Sequence, residues 1–252
     1  MLLFNFAFPC VPCVPCGSFL LLCLALPCFA DAPKPEVKKT EPMYLLVGKT
    51  TRFTIYGENL SPKEVTVKAP LTVKLIEAKD TDKDNKGKGA RQVVVEVVVP
   101  ENAKPQNYEL TLTQTDNAKA TAQVPVALNA AAEMEVKKPN GTFDKAMVLS
   151  GASVAVNGFF DNNDGSLFRF EAKAGETYEI IVMGRRGGSK ADPMVKIRDS
   201  RKMSRVMSAG NPNKDRRLLY KIPSDGTYYI ELMNSSMDTG AEQKYRLLFF
   251  KR

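Results

Sequence analysis

Histidine and tryptophan are absent from this 252-residue chain, and its five cysteines (Cys10, Cys13, Cys16, Cys23, Cys28) all precede position 30. Each absence removes a class of chemistry. Histidine is the usual general base near neutral pH and the commonest metal ligand, and thiolate is the strongest side-chain nucleophile. Beyond Cys28 the chain therefore cannot build a Ser-His-Asp triad, a Cys-His pair or a His/Cys zinc site. It cannot form a disulfide there either, so stability must come from core burial. Without Trp, a flat platform for a sugar ring falls to Tyr228, Tyr229 and Tyr245. Carboxylate pairs and Ser–Lys dyads need no histidine. No segment, however, shows a nucleophile elbow or a Gly-rich cofactor loop, and the chain reads as a non-enzyme.

Charge is missing from the first thirty residues. Ser18–Leu26 has the length of a signal-peptide apolar core and is too short to cross a bilayer as a helix. Cleavage is expected near Ala30. The segment Met1–Phe8 lacks the basic residues that usually precede such a core, which leaves the true start open. Cys10-x-x-Cys13-x-x-Cys16 imitates an iron–sulfur run, but the fourth ligand position holds Leu20, so the run is expected to leave with the leader. Cys23 follows Leu22 and Cys28 follows Pro27, poor contexts for lipidation. The expected location is secreted, periplasmic or cell envelope, with no integral membrane span in the mature chain and no nucleic-acid partner.

What remains is strand-like nearly throughout. Arg52–Tyr56, Leu71–Leu75 and Tyr108–Thr113 alternate apolar and polar residues. Val93–Val99 is almost continuously β-branched, which predicts a strand covered on both faces, stopped by Pro100. A second series is expected at Val154–Phe160, Leu167–Ala172, Thr177–Met183, Met194–Arg198, Arg216–Ile222, Gly226–Met233 and Lys244–Phe250. Thr142–Leu149 is the one stretch with a helical period. Short strands about ten residues apart predict a mainly β chain of two consecutive antiparallel β-sandwich domains. The expected boundaries are a signal peptide at 1–30, a flexible N-terminus at 31–40, a sandwich at 41–127, a linker at 128–138 and a second sandwich at 139–252.

From Lys138 onward four segments in order carry a family resemblance. They are Pro139–Ala146, Gly165–Tyr178 with its Ala174-Gly175-Glu176-Thr177 turn, Asp192–Asp199, and Ile222–Ile230 with Gly226-Thr227-Tyr228-Tyr229. This stretch resembles the bacterial pre-peptidase C-terminal domain, a jelly-roll-type β-sandwich of exported proteins. Gly48–Leu60, with Gly57-Glu58-Asn59-Leu60 at its end, more loosely resembles an immunoglobulin-like domain of the IPT/TIG type. Together the resemblances imply an extracytoplasmic accessory architecture.

Two candidate sites follow. Some relatives of the second domain bind Ca²⁺, and the resemblance implies Asn140, Asp164, Asp192 and Asp215 as ligands. The family's carboxylates are replaced here by Lys138 and Gly141, which leaves the set poor for a cation that takes six to eight oxygens. Calcium is the one cofactor considered. Asp80-x-Asp82-x-Asp84 imitates a calcium loop, but Asn85 and Arg91 stand where Gly and Glu are needed. The other site is electrostatic. The chain carries net charge +8, and Arg185–Arg217 holds 11 basic against 3 acidic residues. Arg185, Arg186, Lys190, Arg198, Arg201, Lys202, Arg205, Arg216 and Arg217 form a candidate strip for an anionic partner. The expected function is an exported, non-catalytic binding or structural module whose partner is a protein or an extracellular polymer. The alternatives are an accessory protein for a separately encoded secreted protease or other exported enzyme, and an adhesin for acidic glycan.

Overall fold

The computed structural model describes residues 34–80, 90–161, 165–208 and 215–252. The leader with its cysteines and Ala30, and Asp82 and Asp84, lie outside them. The first nine strands are β1 (Glu36–Glu41), β2 (Leu45–Leu46), β3 (Thr50–Glu58), β4 (Pro62–Val67), β5 (Thr72–Asp80), β6 (Ala90–Val98), β7 (Asn107–Gln114), β8 (Lys119–Ala127) and β9 (Ala132–Glu135). The other nine are β10 (Met147–Val148), β11 (Ser153–Phe159), β12 (Ser166–Ala172), β13 (Thr177–Met183), β14 (Pro193–Arg198), β15 (Ser204–Ser208), β16 (Arg216–Lys221), β17 (Gly226–Asn234) and β18 (Lys244–Lys251). They form four sheets, ordered β1-β3-β6-β5, β2-β8-β7-β4, β10-β12-β17-β14-β15 and β16-β13-β18-β11-β9. No helix among the described residues is long and apolar enough to cross a membrane.

Alternation explains the first pair of sheets. Phe53, Ile55, Val93, Val95 and Val97 point inward from β3 and β6 and meet Leu110, Leu112, Val124 and Val126 of β7 and β8. The valine run differs from expectation. Val93, Val95, Val97 and Val99 are buried, but Val94 is half-buried and Val98 is 40% exposed, so β6 is covered on one face only. Its β-branched residues on the open side serve strand propensity rather than a second core.

Strand β18 shows the double coverage instead. Every residue from Tyr245 to Phe250 is buried. Tyr245, Leu247 and Phe249 enter the core of the second sheet pair with Phe168, Phe170, Ile180 and Ile230. Leu248 and Phe250 point the other way, with Ala155 and Met183, into an apolar cluster with Tyr44 and Ala127. Lys34–Arg252 thus forms one compact unit in which the first sheet pair sits on an outer face of the second.

Arg186 clasps this joint. Its Nη1 donates to the Val126 carbonyl at 2.8 Å, its Nε pairs with Asp215 Oδ2 at 2.8 Å, and its guanidinium lies 5.5 Å from the Tyr44 ring centre. Tyr44 in turn donates its hydroxyl to the Gly184 carbonyl at 3.1 Å. Gly187 has no side chain because none fits: a Cβ there would stand 2.4 Å from Tyr44 Cζ and 2.6 Å from Met43 Cγ.

Several segments differ from their expected roles. Residues 36–40, expected in a flexible N-terminus, belong to β1, which pairs with β3. Ala132–Glu135, expected in the linker, is β9 and runs parallel to β11. Two more parallel pairs, β2 with β8 and β10 with β12, make the sheets antiparallel except at these short edges. Thr142–Leu149 is not a helix: Phe143–Lys145 makes a 3₁₀ turn and Met147–Val148 is β10. Gly175, expected in a turn needing left-handed backbone, has φ +86°.

Candidate functional site

Two of the proposed calcium ligands are already occupied by arginines. Asp192 Oδ1 lies 2.7 Å from Arg216 Nη2, and Asp215 holds Arg186. Asn140 is fully buried; its Nδ2 donates to the Leu167 carbonyl at 3.2 Å, while its Oδ1 is buried without a hydrogen-bond partner among the described residues. Asp164 lies outside the described residues. Lys138, which replaces a family carboxylate, pairs with Asp161 at 2.9 Å and donates to Ser166 Oγ at 3.0 Å. Burial raises the carboxyl pKa of Asp215, and the Arg186 guanidinium only partly opposes this. No group of three or more His, Cys, Asp or Glu suited to a metal occurs among the described residues.

The basic strip does not fold as one face. Arg186 turns into the joint, and Arg216 is buried against Asp192 and the Pro193 carbonyl, 3.0 Å from its Nε. Arg217 and Arg252 both pair with Glu179, a carboxylate only 1% exposed. Lys190 is exposed and matched by Glu242 at 2.5 Å, whereas Arg185 is exposed on the 3₁₀ turn Arg185–Gly187. Beside them is a cleft of about 660 Å³, where Lys39 and Lys190 face Glu41 and Glu242. The Lys39–Glu41 pair closes at 2.6 Å, so its charges largely cancel.

The remaining members, Arg198, Arg201, Lys202 and Arg205, gather at one place. β14 ends in a turn held by Asp199, whose Oδ1 accepts the Met203 amide at 2.9 Å and whose Oδ2 takes Arg205 Nε at 2.9 Å. Burial would raise the Asp199 pKa, but Arg205 and that amide outweigh it and hold the carboxyl below its ordinary value. Arg201 reaches the same carboxylate at 3.7 Å. Lys202 sits in left-handed backbone, φ 64°, with its side chain exposed. Arg198 fixes this turn to the sheet through the Lys202 carbonyl at 3.0 Å and Glu231 at 2.8 Å.

These residues border the outer face of the sheet β10-β12-β17-β14-β15. Inward positions there are apolar: Phe168, Phe170, Tyr228, Ile230, Val195 and Ile197. Their neighbours point out, because successive side chains alternate across a strand. Register then sets Val148, Arg169, Tyr229 and Arg198 side by side across four strands. Phe143 meets the Tyr229 ring edge-on at 5.0 Å and 89°, and Lys202 Nζ lies 4.9 Å from the Phe143 ring centre. Of the three tyrosines proposed as sugar platforms, Tyr228 and Tyr245 are buried, and Tyr229 alone reaches the surface. Alternation in β12 and β17 predicts which side chains face outward. The cross-strand register that assembles Arg169, Tyr229 and Phe143 carries no local signal.

No family model matches the chain, and no curated protein matches it. Several solved structures are similar to it. One is the pre-peptidase C-terminal domain of a collagenase from Bacillus anthracis, with 12% identity over 46% of this chain and 100% of that one, TM-score 0.33. Another is PliG from Aeromonas hydrophila, a periplasmic inhibitor of g-type lysozyme, with 12% identity, 48% and 100% coverage, and TM-score 0.32. A third is SGBP-B of the Bacteroides ovatus mixed-linkage glucan utilization locus, solved with a mixed-linkage heptasaccharide, with 11% identity, 86% and 74% coverage, and TM-score 0.25.

Proposed function

We propose that this chain is an exported, non-catalytic binding module whose two sandwiches are docked into one rigid body. The observation that carries the reading is how its charged groups are spent. The buried or nearly buried carboxylates Glu179, Asp192, Asp199 and Asp215 each hold an arginine. A general acid or base needs a carboxyl poised for proton transfer, and those committed to ion pairs are structural. With no histidine anywhere and no cysteine beyond Cys28, the surface rather than a reactive centre is what the protein offers a partner.

The uncharged leader supports export, and the outer face around Tyr229 supports binding. Expression of the full chain in a bacterium, followed by fractionation and mass spectrometry of the N-terminus, tests the first part. The expected result is an extracytoplasmic protein beginning near Asp31. A full-length protein retained in the cytoplasm would overturn it.

A further inference from the structure

The geometry points to the outer face around Tyr229 as a docking surface for an acidic polysaccharide, one whose pyranose rings carry carboxylates. This deepens the binding-module reading and rests on it.

Three observations converge. First, the face is aromatic and fixed. Tyr229 is held edge-to-face by Phe143, so its ring costs little further ordering on contact. Second, the face has unspent positive charge. Arg198 is answered by Glu231, and Lys202 stands near enough to Asp144 to help hold that carboxyl below its ordinary value, whereas Arg169 makes no ion pair among the described residues. Both are exposed, Arg169 beside Tyr229 and Lys202 over Phe143. Third, the row Val148-Arg169-Tyr229-Arg198 steps from strand to strand at about 4.8 Å, comparable to the length of one pyranose unit. A chain of acidic sugars laid across the strands would place one ring on Tyr229 and the carboxylates of its neighbours against the flanking cations.

An acidic protein segment fits less well. Strands β12, β17 and β14 lie inside their sheet and hydrogen-bond on both sides, so none can accept an added strand from an extended peptide. A flat face with a single presented ring suits stacking on a sugar better than an apolar anchor.

The test is titration of the purified protein with polygalacturonate, neutral dextran and polyglutamate at low and raised salt. Polygalacturonate should bind, more weakly as salt rises, and dextran should not. Tyr229→Ala and Arg169→Glu should each weaken polygalacturonate binding by at least roughly tenfold, as loss of a central contact residue does. Tyr229→Phe keeps the ring and should keep binding. Arg185→Glu, a reversal of another exposed charge outside this row, should change affinity by less than about twofold. Melting curves confirm that each variant is folded. The proposal is overturned if polygalacturonate does not bind, or if Arg185→Glu matches Arg169→Glu. It is equally overturned if Tyr229→Ala binds like wild type, which would mean a charge-only surface that polyglutamate also occupies. Because binding is read on purified protein and export by fractionation, failure of one leaves the other standing.

Discussion

The two outer faces of the second sandwich are built from neighbouring stretches of one chain and meet opposite fates. On β13 and β18 the outward side chains include Met183, Leu248 and Phe250, and Tyr44 and Ala127 of the first sandwich cover them. On β12, β17 and β14 the outward side chains include Arg169, Tyr229 and Arg198, and no second sheet of the described chain covers that row, only Phe143 packing on Tyr229. Burial of apolar area at about 25 cal/mol per Å² drives the first contact and has no counterpart on the second. One face is a joint; the other is left available to a partner.

The sharpest way to break this contrast is to truncate the covered face. Leu248→Ala should cost about 2–4 kcal/mol in urea unfolding, the usual penalty for a fully packed leucine. Arg169→Ala, on the open face, should fall within about 0.5 kcal/mol of wild type. Equal effects would erase the distinction.

Arg186→Met should come next, at about 2–3 kcal/mol, because it strands Asp215 and the Val126 carbonyl in a largely buried setting. Adding Asp215→Asn should recover part of that loss, and a double-mutant cycle measures how much.

Smaller still is an acid-range effect at Glu176. A hydrogen bond from the Lys173 amide, and further bonds from Lys251 and Tyr178, lower its pKa from 4.5 to about 2. A carboxyl depressed in the folded state contributes stability that is complete above its ordinary pKa and lost as pH falls through the folded value. The urea midpoint of wild type should therefore drop between about pH 4.5 and 2, and Glu176→Gln should flatten that part of the curve. The same drop in the variant would assign it to other carboxylates.

Much of the architecture was legible because period-two alternation is local. Thr177–Met183 is a strand with the expected bounds, and the expected bounds at Val154–Phe160 and Gly226–Met233 shift by only one residue. Ser204–Ser208 was missed because an edge strand of Ser, Arg and Met exposes most of its residues and shows no apolar period. The Val93–Val99 run reversed expectation for a non-local reason. Nothing in Val93–Val99 or Leu247–Phe250 says whether another sheet will lie on the second face. The basic strip failed as a unit because partners distant in sequence claimed its members: Glu179 for Arg217, Glu231 for Arg198 and Asp192 for Arg216. The row on the open face came from register: alternation fixes which side chains face outward, but a slip of two residues would keep the faces and change which residues stand side by side.

Differential scanning calorimetry of the purified protein tests most directly whether the covered face joins the sandwiches into one body. One transition is expected, with equal calorimetric and van't Hoff enthalpies, and Leu248→Ala should lower it as a whole. Two separable transitions in the wild type, with Leu248→Ala moving only one of them, would contradict the account.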